Sequence, residues 1–229
     1  MSSSPRRPSD KVTFRESDHT YWLGEPGEGV RLFGATELLT AVGLIDTRYF
    51  TPASAERGTF SHQATAIFDR HRMGMNVGEK LDEEKLDPAL RPFLTAYKKF
   101  TEACQPAWTD IEAPLYDKAL RLAGTVDRVG MMRPGGTGKK RKVVLDIKTG
   151  SHANWHPLQL AVYQHLVTKR LVEAGAAPQT DTNKPMFERY GLYLTKRGTY
   201  ALKHFTTATD IAVVMGARAV ALWKESHGA

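Results

Sequence analysis

Hydrophobic and polar positions along the chain follow two periods, and their order predicts helices on either side of a central group of strands. Five segments repeat apolar residues every three to four positions, as amphipathic helices do, and seven alternate or run together, as strands do. The predicted helices cover residues 36–42, 59–72, 88–104, 157–174 and 208–224. The predicted strands cover residues 12–14, 20–23, 108–116, 120–132, 143–148, 190–194 and 200–205. This order predicts a mixed α/β fold, in which helices flank a mixed sheet.

Length and turn residues predict a single domain. The 229 residues are enough to bury one substantial core. Residues 1–9 are polar and interrupted by prolines, so we expect a disordered tail followed by one domain over residues 10–229. Asp87 and Thr207 are the expected N-caps of the third and fifth helices, and Asp210 completes a capping-box-like pattern with Thr207.

The segment 143–148 places two charges in an otherwise aliphatic strand. Because side chains alternate along a strand, Asp146 and Lys148 emerge on one face together with Val144. The other face carries Val143, Leu145 and Ile147. Burying a charge is costly unless something compensates it, and a carboxylate can be compensated by a metal ion. We therefore interpret this strand as the functional centre of the protein.

A second aspartate is expected beside the first. Asp127 follows Gly124-Thr125-Val126 in the preceding strand, so a hairpin can place Asp127 and Asp146 side by side. Mg²⁺ is usually held by one or two carboxylates together with substrate phosphate and water. A lysine beside that ion can orient an attacking water or neutralise charge on a phosphate. These are the parts that phosphodiester cleavage requires, with Mg²⁺ or Mn²⁺ as the metal.

The acidic-x-lysine triplet is not specific by itself. Glu83-Glu84-Lys85 has the same spacing, but it lies in a polar stretch without a strand, and we interpret it as a solvated charge run. The triplet at Asp146 differs because a strand precedes it and a Thr-Gly turn follows it.

An excess of basic residues favours an anionic partner. The chain has 32 Lys and Arg against 25 Asp and Glu, a net charge of +7, which suits nucleic acid but also describes many basic proteins that bind none. Two predicted hairpin tips concentrate this charge, and they could either hold DNA phosphates or simply keep the loops solvated. Their basic residues are Lys139, Lys140, Arg141 and Lys142 in the first tip and Lys196 and Arg197 in the second.

Several classes of site are excluded by composition. The single cysteine, Cys104, excludes a disulfide within the chain, a cysteine-held zinc site and an iron–sulfur cluster, and we expect it to serve in packing. The glycine-rich stretch 135–140 is not a phosphate-binding loop, because Arg133 and Lys140 stand where glycine and Ser or Thr are needed. We expect no bound nucleotide, no membrane contact and a soluble cytoplasmic protein.

Four motifs in order resemble the RecB-like and phage exonuclease-like branch of the PD-(D/E)XK nuclease superfamily. They are Gly58-Thr59-x-x-His62, Gly124-Thr125-Val126-Asp127, Asp146-Ile147-Lys148-Thr149-Gly150 and Gln159-x-x-x-Tyr163. The segments Asp18-His19-Thr20-Tyr21 and Gly34-Ala35-Thr36-Glu37-Leu38-Leu39 are similar to the start of such proteins. The resemblance covers residues 10–225 and implies a restriction-endonuclease-like core.

The resemblance implies a set of metal ligands. His62 corresponds to a helical histidine that binds or neighbours the metal, although an exposed histidine without a role is the alternative. Its helix is expected to bury Phe60, Ala64, Ile67 and Phe68, with His62 nearly opposite Phe60. Asp127 and Asp146 correspond to the metal-binding carboxylates, and the Ile147 carbonyl to an extra ligand. Glu112 is a further acidic candidate.

The resemblance also implies catalytic residues beyond the two aspartates. Lys148 corresponds to the catalytic lysine. Gln159 and Tyr163, one helical turn apart, correspond to a pair that braces the site and contacts DNA. Tyr163 also belongs to an apolar stripe of its helix, so a simple core role is the alternative.

The implied function is a Mg²⁺- or Mn²⁺-dependent deoxyribonuclease. Its most direct form is an exonuclease that acts on DNA ends or single strands in phage or bacterial recombination or DNA processing, with a recombination protein as a partner. The alternatives are a structure-specific endonuclease and a catalytically silent DNA-binding accessory protein. The sequence sets no oligomeric state.

Overall fold

The computed structural model describes residues 12–15, 18–75, 78, 81–176 and 185–228. The tail predicted to be disordered, residues 1–9, lies outside this range. The described residues form eight strands in one mixed sheet with α-helices on both faces, which confirms the predicted fold class. Within the same residues, no helix combines the length and the apolar character needed to cross a membrane.

The strands are short near the beginning of the chain and long at its centre. They are β1 Val12–Arg15, β2 Thr20–Leu23, β3 Val30–Gly34, β4 Ala107–Asp117, β5 Leu122–Met132, β6 Arg141–Lys148, β7 Glu188–Leu194 and β8 Tyr200–Phe205. The helices are α1 Ala35–Ala41, α2 Pro52–Arg72, α3 Arg91–Cys104, α4 His156–Glu173 and α5 Asp210–His227. The sequence pattern did not predict β3, because Leu32 is its only large side chain that is fully buried.

Two helices begin where local contacts place them and not where the pattern predicted. α2 begins at Pro52 and not at residue 59, because Thr51 caps it by accepting a hydrogen bond from a backbone N–H three residues on. α3 begins at Arg91, since the Asp87 carboxylate accepts from the Ala89 N–H in a separate turn ahead of the helix.

The predicted capping of α5 by Thr207 and Asp210 is wrong. The N-cap position is Thr209, and no side chain caps it. Asp210 instead lies 2.9 Å from Nη1 of Arg189, whose other terminal nitrogen donates to the Thr207 carbonyl. A buried arginine on β7 therefore takes up the carboxylate that a capping box would need.

The sheet has a gap beside β5. β4 pairs with one side of β5 along nearly its whole length. The other side is shared by two strands: β3 pairs in parallel with Leu122 and Ala123, and β6 pairs antiparallel with residues 128–132. Residues 124–127, which form the Gly-Thr-Val-Asp motif, lie between these two partners.

The β5–β6 hairpin brings the two aspartates to neighbouring positions. The last paired residues are Arg128 and Leu145, and Asp127 and Asp146 occupy the next position of the same register. Beyond that point β6 continues in parallel pairing with β7 as far as Lys148. The strands therefore separate at the two aspartates, which leaves room for side chains between them.

The two larger of the three hydrophobic clusters among the described residues lie on the two faces of the sheet, and β6 contributes to both. Val144 packs in the core that includes α1, α4 and α5, whereas Val143, Leu145 and Ile147 pack in the core that includes α3. This division confirms the alternation predicted from the sequence. Cys104 is buried in the second core, which confirms its packing role.

Candidate active site

One imidazole and two carboxylates converge near the middle of β5. His62 on α2, Glu112 on β4 and Asp127 on β5 each place one ligand atom within 4.8 Å of the other two. His62 Nδ1 lies 3.3 Å from Glu112 Oε1 and 3.5 Å from Asp127 Oδ1. The Asp127 side chain is 5% exposed, whereas those of His62 and Glu112 are 28% and 23% exposed, so the cluster is open on one side. Oxygen-rich clusters of this size suit divalent cations.

Glu112 reaches the cluster through an unusual backbone conformation. Its φ is 49°, in the left-handed region, although Ile111 and Ala113 on either side pair regularly with β5. A residue other than glycine in this conformation costs roughly 1–3 kcal/mol, and such residues concentrate at functional sites. The sequence marked Glu112 only as a further acidic candidate, because no sequence signal shows a kink of this kind within a strand.

Asp127 uses its two oxygens in different ways. Oδ1 faces His62, and Oδ2 accepts a hydrogen bond of 2.6 Å from the backbone N–H of Ile147. This bond ties β5 to β6 at the point where their ladder has ended. In the structure, Ile147 therefore contributes its N–H to the site; a ligand role for its carbonyl stays a prediction.

Lys148 joins Asp146 to helix α4. Its Nζ lies 3.0 Å and 2.8 Å from the two carboxylate oxygens of Asp146 and donates to Gln159 Oε1 at 2.9 Å. Only the Asp146 Oδ1 contact has hydrogen-bond geometry, so within the described residues Oδ2 is a buried oxygen without a hydrogen bond. The Lys148 ammonium offsets the charge of Asp146, and Oδ2 keeps lone pairs that a metal ion or a water can use. Asp146 is adjacent to the three-residue cluster but is not part of it.

Gln159 and Tyr163 extend the contacts of Lys148 into the core. Gln159 Nε2 donates to Tyr163 Oη at 2.8 Å, and both side chains are buried. The Tyr163 ring packs against Gly124, where a Cβ would lie 2.6 Å from Cε1 of the ring. Tyr163 is thus a core residue that also neighbours the site, and its role in bracing the site and contacting DNA stays a prediction.

Replacing Gly124 with alanine should therefore displace Tyr163 and disturb Gln159 and Lys148. We expect a stability loss of about 1–3 kcal/mol from overpacking and about a 10²-fold loss of catalytic rate from misplaced groups. Gly216→Ala on α5, where an added Cβ meets none of the described atoms within 4 Å, is the matched control: it should leave the rate unchanged and should stabilise the protein by up to about 1 kcal/mol, because alanine replaces glycine inside a helix. Chemical unfolding and an activity assay measure both, and a fully active Gly124→Ala protein would show that the ring position is irrelevant.

Negative charge is concentrated in the cluster. Burial opposes a charge on His62, but the carboxylates of Asp127 and Glu112 outweigh it and raise the pKa of His62 to about 9. Burial raises the pKa of Asp127, and the nearby Asp146 and Glu112 charges add to this effect against the opposing influence of His62. A bound cation would offset the crowded carboxylates in place of the imidazolium charge.

A buried arginine that the sequence pattern did not reveal lies behind the cluster. The Arg128 side chain has no solvent exposure, and Nη1 donates to Glu112 Oε1 at 2.9 Å and to the Asp127 carbonyl at 2.7 Å. Nε donates to Asp69 Oδ2 at 2.7 Å, and Nη2 donates to Thr65 Oγ1 at 3.0 Å. Asp127 and Glu112 are thus connected to α2 through one guanidinium group.

The inward face of α2 is polar and not apolar as predicted. Thr65 and Asp69 are buried because they bond Arg128, which needs partners in a dry interior. Of the four residues expected to be buried, Ala64 is buried, whereas three are only partly so: Phe60, Ile67 and Phe68. The sequence did contain a signal for this polar face, because Ser61, Thr65 and Asp69 recur every four residues.

The candidate DNA-binding residues divide between opposite ends of the sheet. In the first tip, Lys139 and Lys140 precede β6 and Arg141 and Lys142 are its first residues, so about 13 Å of extended strand separates the tip from Asp146. β7 runs parallel to β6, and Lys196 and Arg197 follow it directly, so they lie at the end of the sheet where Lys148 lies. A DNA strand at the cluster would meet the second group more directly.

Comparison with known proteins agrees with this geometry. A family model described as the PD-(D/E)XK nuclease superfamily matches residues 49–187, more than half of the chain. The matched range contains the three clustered ligands, the Asp146–Lys148 pair and the Gln159–Tyr163 pair. No curated protein matches the chain in sequence. The chain therefore belongs to the PD-(D/E)XK nuclease superfamily, whose fold and metal-dependent nuclease chemistry suit the site described above.

Proposed function

We propose that the protein is a Mg²⁺- or Mn²⁺-dependent exodeoxyribonuclease of the RecB-like, phage exonuclease-like branch. The observation that supports this most strongly is the position of the Asp146–Lys148 ion pair next to the cluster of His62, Glu112 and Asp127. That arrangement supports the proposal because carboxylate oxygens that suit a metal ion lie close to a positively charged amine.

We assign His62, Asp127 and Asp146 as metal ligands, with the Ile147 carbonyl as an extra ligand. Glu112 joins this set because one of its carboxylate oxygens lies near His62 and Asp127. The donor set fits, because three ligand atoms already converge and Asp146 Oδ2 is buried without a hydrogen bond. When bound, a divalent ion would polarise the scissile phosphate and lower the pKa of a coordinated water.

The remaining residues hold the reacting groups in place. Lys148 can orient the attacking water or stabilise charge on the phosphate, and its contacts with Asp146 and Gln159 fix the position of its amine. Tyr163 in turn holds Gln159. We propose these as the catalytic residues, together with Asp127 and Asp146.

DNA is the proposed substrate, and several features suit its backbone. Beside Lys148 a shallow cleft of about 420 Å³ includes Thr149, Ser151 and Lys203, so hydroxyl groups and a cation are available for phosphates. The Lys196–Arg197 turn lies at the same end of the sheet. A role in phage or bacterial DNA recombination or processing, in the cytoplasm and with a recombination protein as partner, follows from the resemblance stated above.

Digestion of end-labelled DNA tests the proposal. With Mg²⁺ or Mn²⁺, linear strands labelled at the 5′ or 3′ end should lose nucleotides progressively from one end, and a chelator should stop the reaction. A covalently closed circle should stay intact, because an exonuclease has no end at which to begin. Cleavage of the circle would favour the structure-specific endonuclease, and DNA binding without metal-dependent cleavage would favour the accessory protein.

A further inference from the structure

A second, deeper cleft lies beside the candidate active site. It has a volume of about 610 Å³ and is lined by the rings of Phe14, His19 and Tyr21, and by Gly124 and Tyr163. We propose that this cleft receives one unpaired nucleobase of the DNA strand whose phosphate lies at the metal cluster. The inference rests on the proposed function and specifies its substrate: a nucleotide that has left its base stack.

The cleft is connected to the site through specific contacts. Tyr21 Oη lies 3.1 Å from Oγ1 of Thr125, which is two residues before Asp127 on β5. On the opposite wall, Thr36 Oγ1 is 3.5 Å from Nε2 of Gln159, the residue that holds Lys148. A base in the cleft would therefore belong to a nucleotide adjoining the phosphate at the cluster.

Aromatic rings form one wall and remain accessible. Phe14 is 37% exposed, its ring stacks on His19 with centroids 5.9 Å apart, and it contacts Tyr21 at 4.9 Å. His19 has a φ of 54°, a conformation that is uncommon outside glycine, and its ring lies against Phe14. Exposed aromatic faces of this kind stack on bases with little sequence preference.

The charges in the cleft favour a base over a phosphate. Its arginine, Arg31, is 2.6 Å from Glu37, and Asp18 is paired with Arg15, so the cations near the wall are already neutralised. Because each carboxylate is paired with an arginine, these groups leave no surplus positive charge to hold a phosphate. Their remaining acceptor capacity suits the amino groups of bases, and the volume is that of a typical small-ligand site.

Binding of short single strands by the Asp146→Asn protein in chelator tests this inference without cleavage. Phe14→Leu keeps an apolar side chain but removes the aromatic face, and it should weaken binding about tenfold, as loss of one stacked base would. His19→Asn should also weaken binding, because asparagine tolerates the left-handed conformation but has no aromatic ring. Phe14→Trp keeps an aromatic face at position 14, so it should bind as tightly as the protein with Phe14. Met131→Leu is the control, because Met131 is similarly exposed, at 39%, but lies four residues beyond Asp127 towards the other end of β5.

An abasic nucleotide identifies the interaction. A series of strands carries the abasic nucleotide at successive positions, and one of these positions should weaken binding about tenfold. In the Phe14→Leu protein, the abasic strand and the intact strand should bind equally. Equal affinities of all these proteins for intact and abasic strands would overturn the inference, even when the unmodified enzyme cleaves DNA. Absence of metal-dependent cleavage by the unmodified enzyme would instead refute the proposed function. The three variants and the abasic strand each measure the interaction independently, so the test still stands if one variant folds poorly.

Discussion

Replacing Lys148 with methionine should lower the rate of DNA cleavage by about 10³-fold or more, because the amine proposed to assist the reaction would be lost. DNA affinity should change little, since Lys148 would supply only one charge among the basic residues proposed to contact the backbone. Single-turnover cleavage rates and equilibrium binding in chelator separate the two effects. Asp146→Asn should have a similarly large effect on the rate, because Asp146 both pairs with Lys148 and belongs to the proposed metal ligands.

Lys85→Met is the matched control for this experiment. Lys85 ends a Glu-Glu-Lys triplet with the same spacing, but its side chain is 85% exposed and its partner is Asp82. We expect its cleavage rate to equal that of the unmodified protein. Full activity in both Lys148→Met and Asp146→Asn would remove the basis of the assignment.

Replacing Arg128 with methionine should destabilise the protein by about 3–5 kcal/mol, because Asp69 would be left as a buried charge without its main partner. Glu112 would lose the same guanidinium group, so its position at the cluster should loosen. Urea unfolding measures the change in the free energy of unfolding, and metal titration of the folded protein should show weaker binding.

An exposed arginine and a double variant provide the controls. Arg141 is 59% exposed and lies 3.6 Å from Glu188, so Arg141→Met should cost no more than about 1 kcal/mol. Adding Asp69→Leu to Arg128→Met removes the stranded charge and should recover part of the stability. If Arg128→Met were as stable as the unmodified protein, the network would not hold α2 against the sheet as described.

The gap beside β5 explains why these effects meet in one place. Because β3 and β6 share one side of β5, none of the described strands pairs with residues 124–127 on that side. Asp127 fills part of the space and bonds Ile147, while Tyr163 packs against Gly124. One interruption of the sheet thus lies beside Asp127, the contact between Gly124 and α4, and the larger cleft.

The sequence by itself determined the central hairpin and the residues it carries. A two-residue period fixes which side chains share a face, so the pattern alone puts Asp146 and Lys148 together and the aliphatic residues of β6 opposite them. The spacing of Gln159 and Tyr163 fixed their common helical face in the same way. These features depend on contacts between residues close in the chain, which local patterns record.

The tertiary structure alone decided the rest. Glu112 enters the cluster through a left-handed kink, and Arg128 turns one face of α2 polar by bonding residues about sixty positions away. The larger cleft forms because β1 and β2 bring Phe14 and Tyr21 to β5 and α4, far along the chain. Contacts between distant segments depend on how the elements pack, and local patterns record them at most indirectly, as the polar spacing of Ser61, Thr65 and Asp69 does for α2.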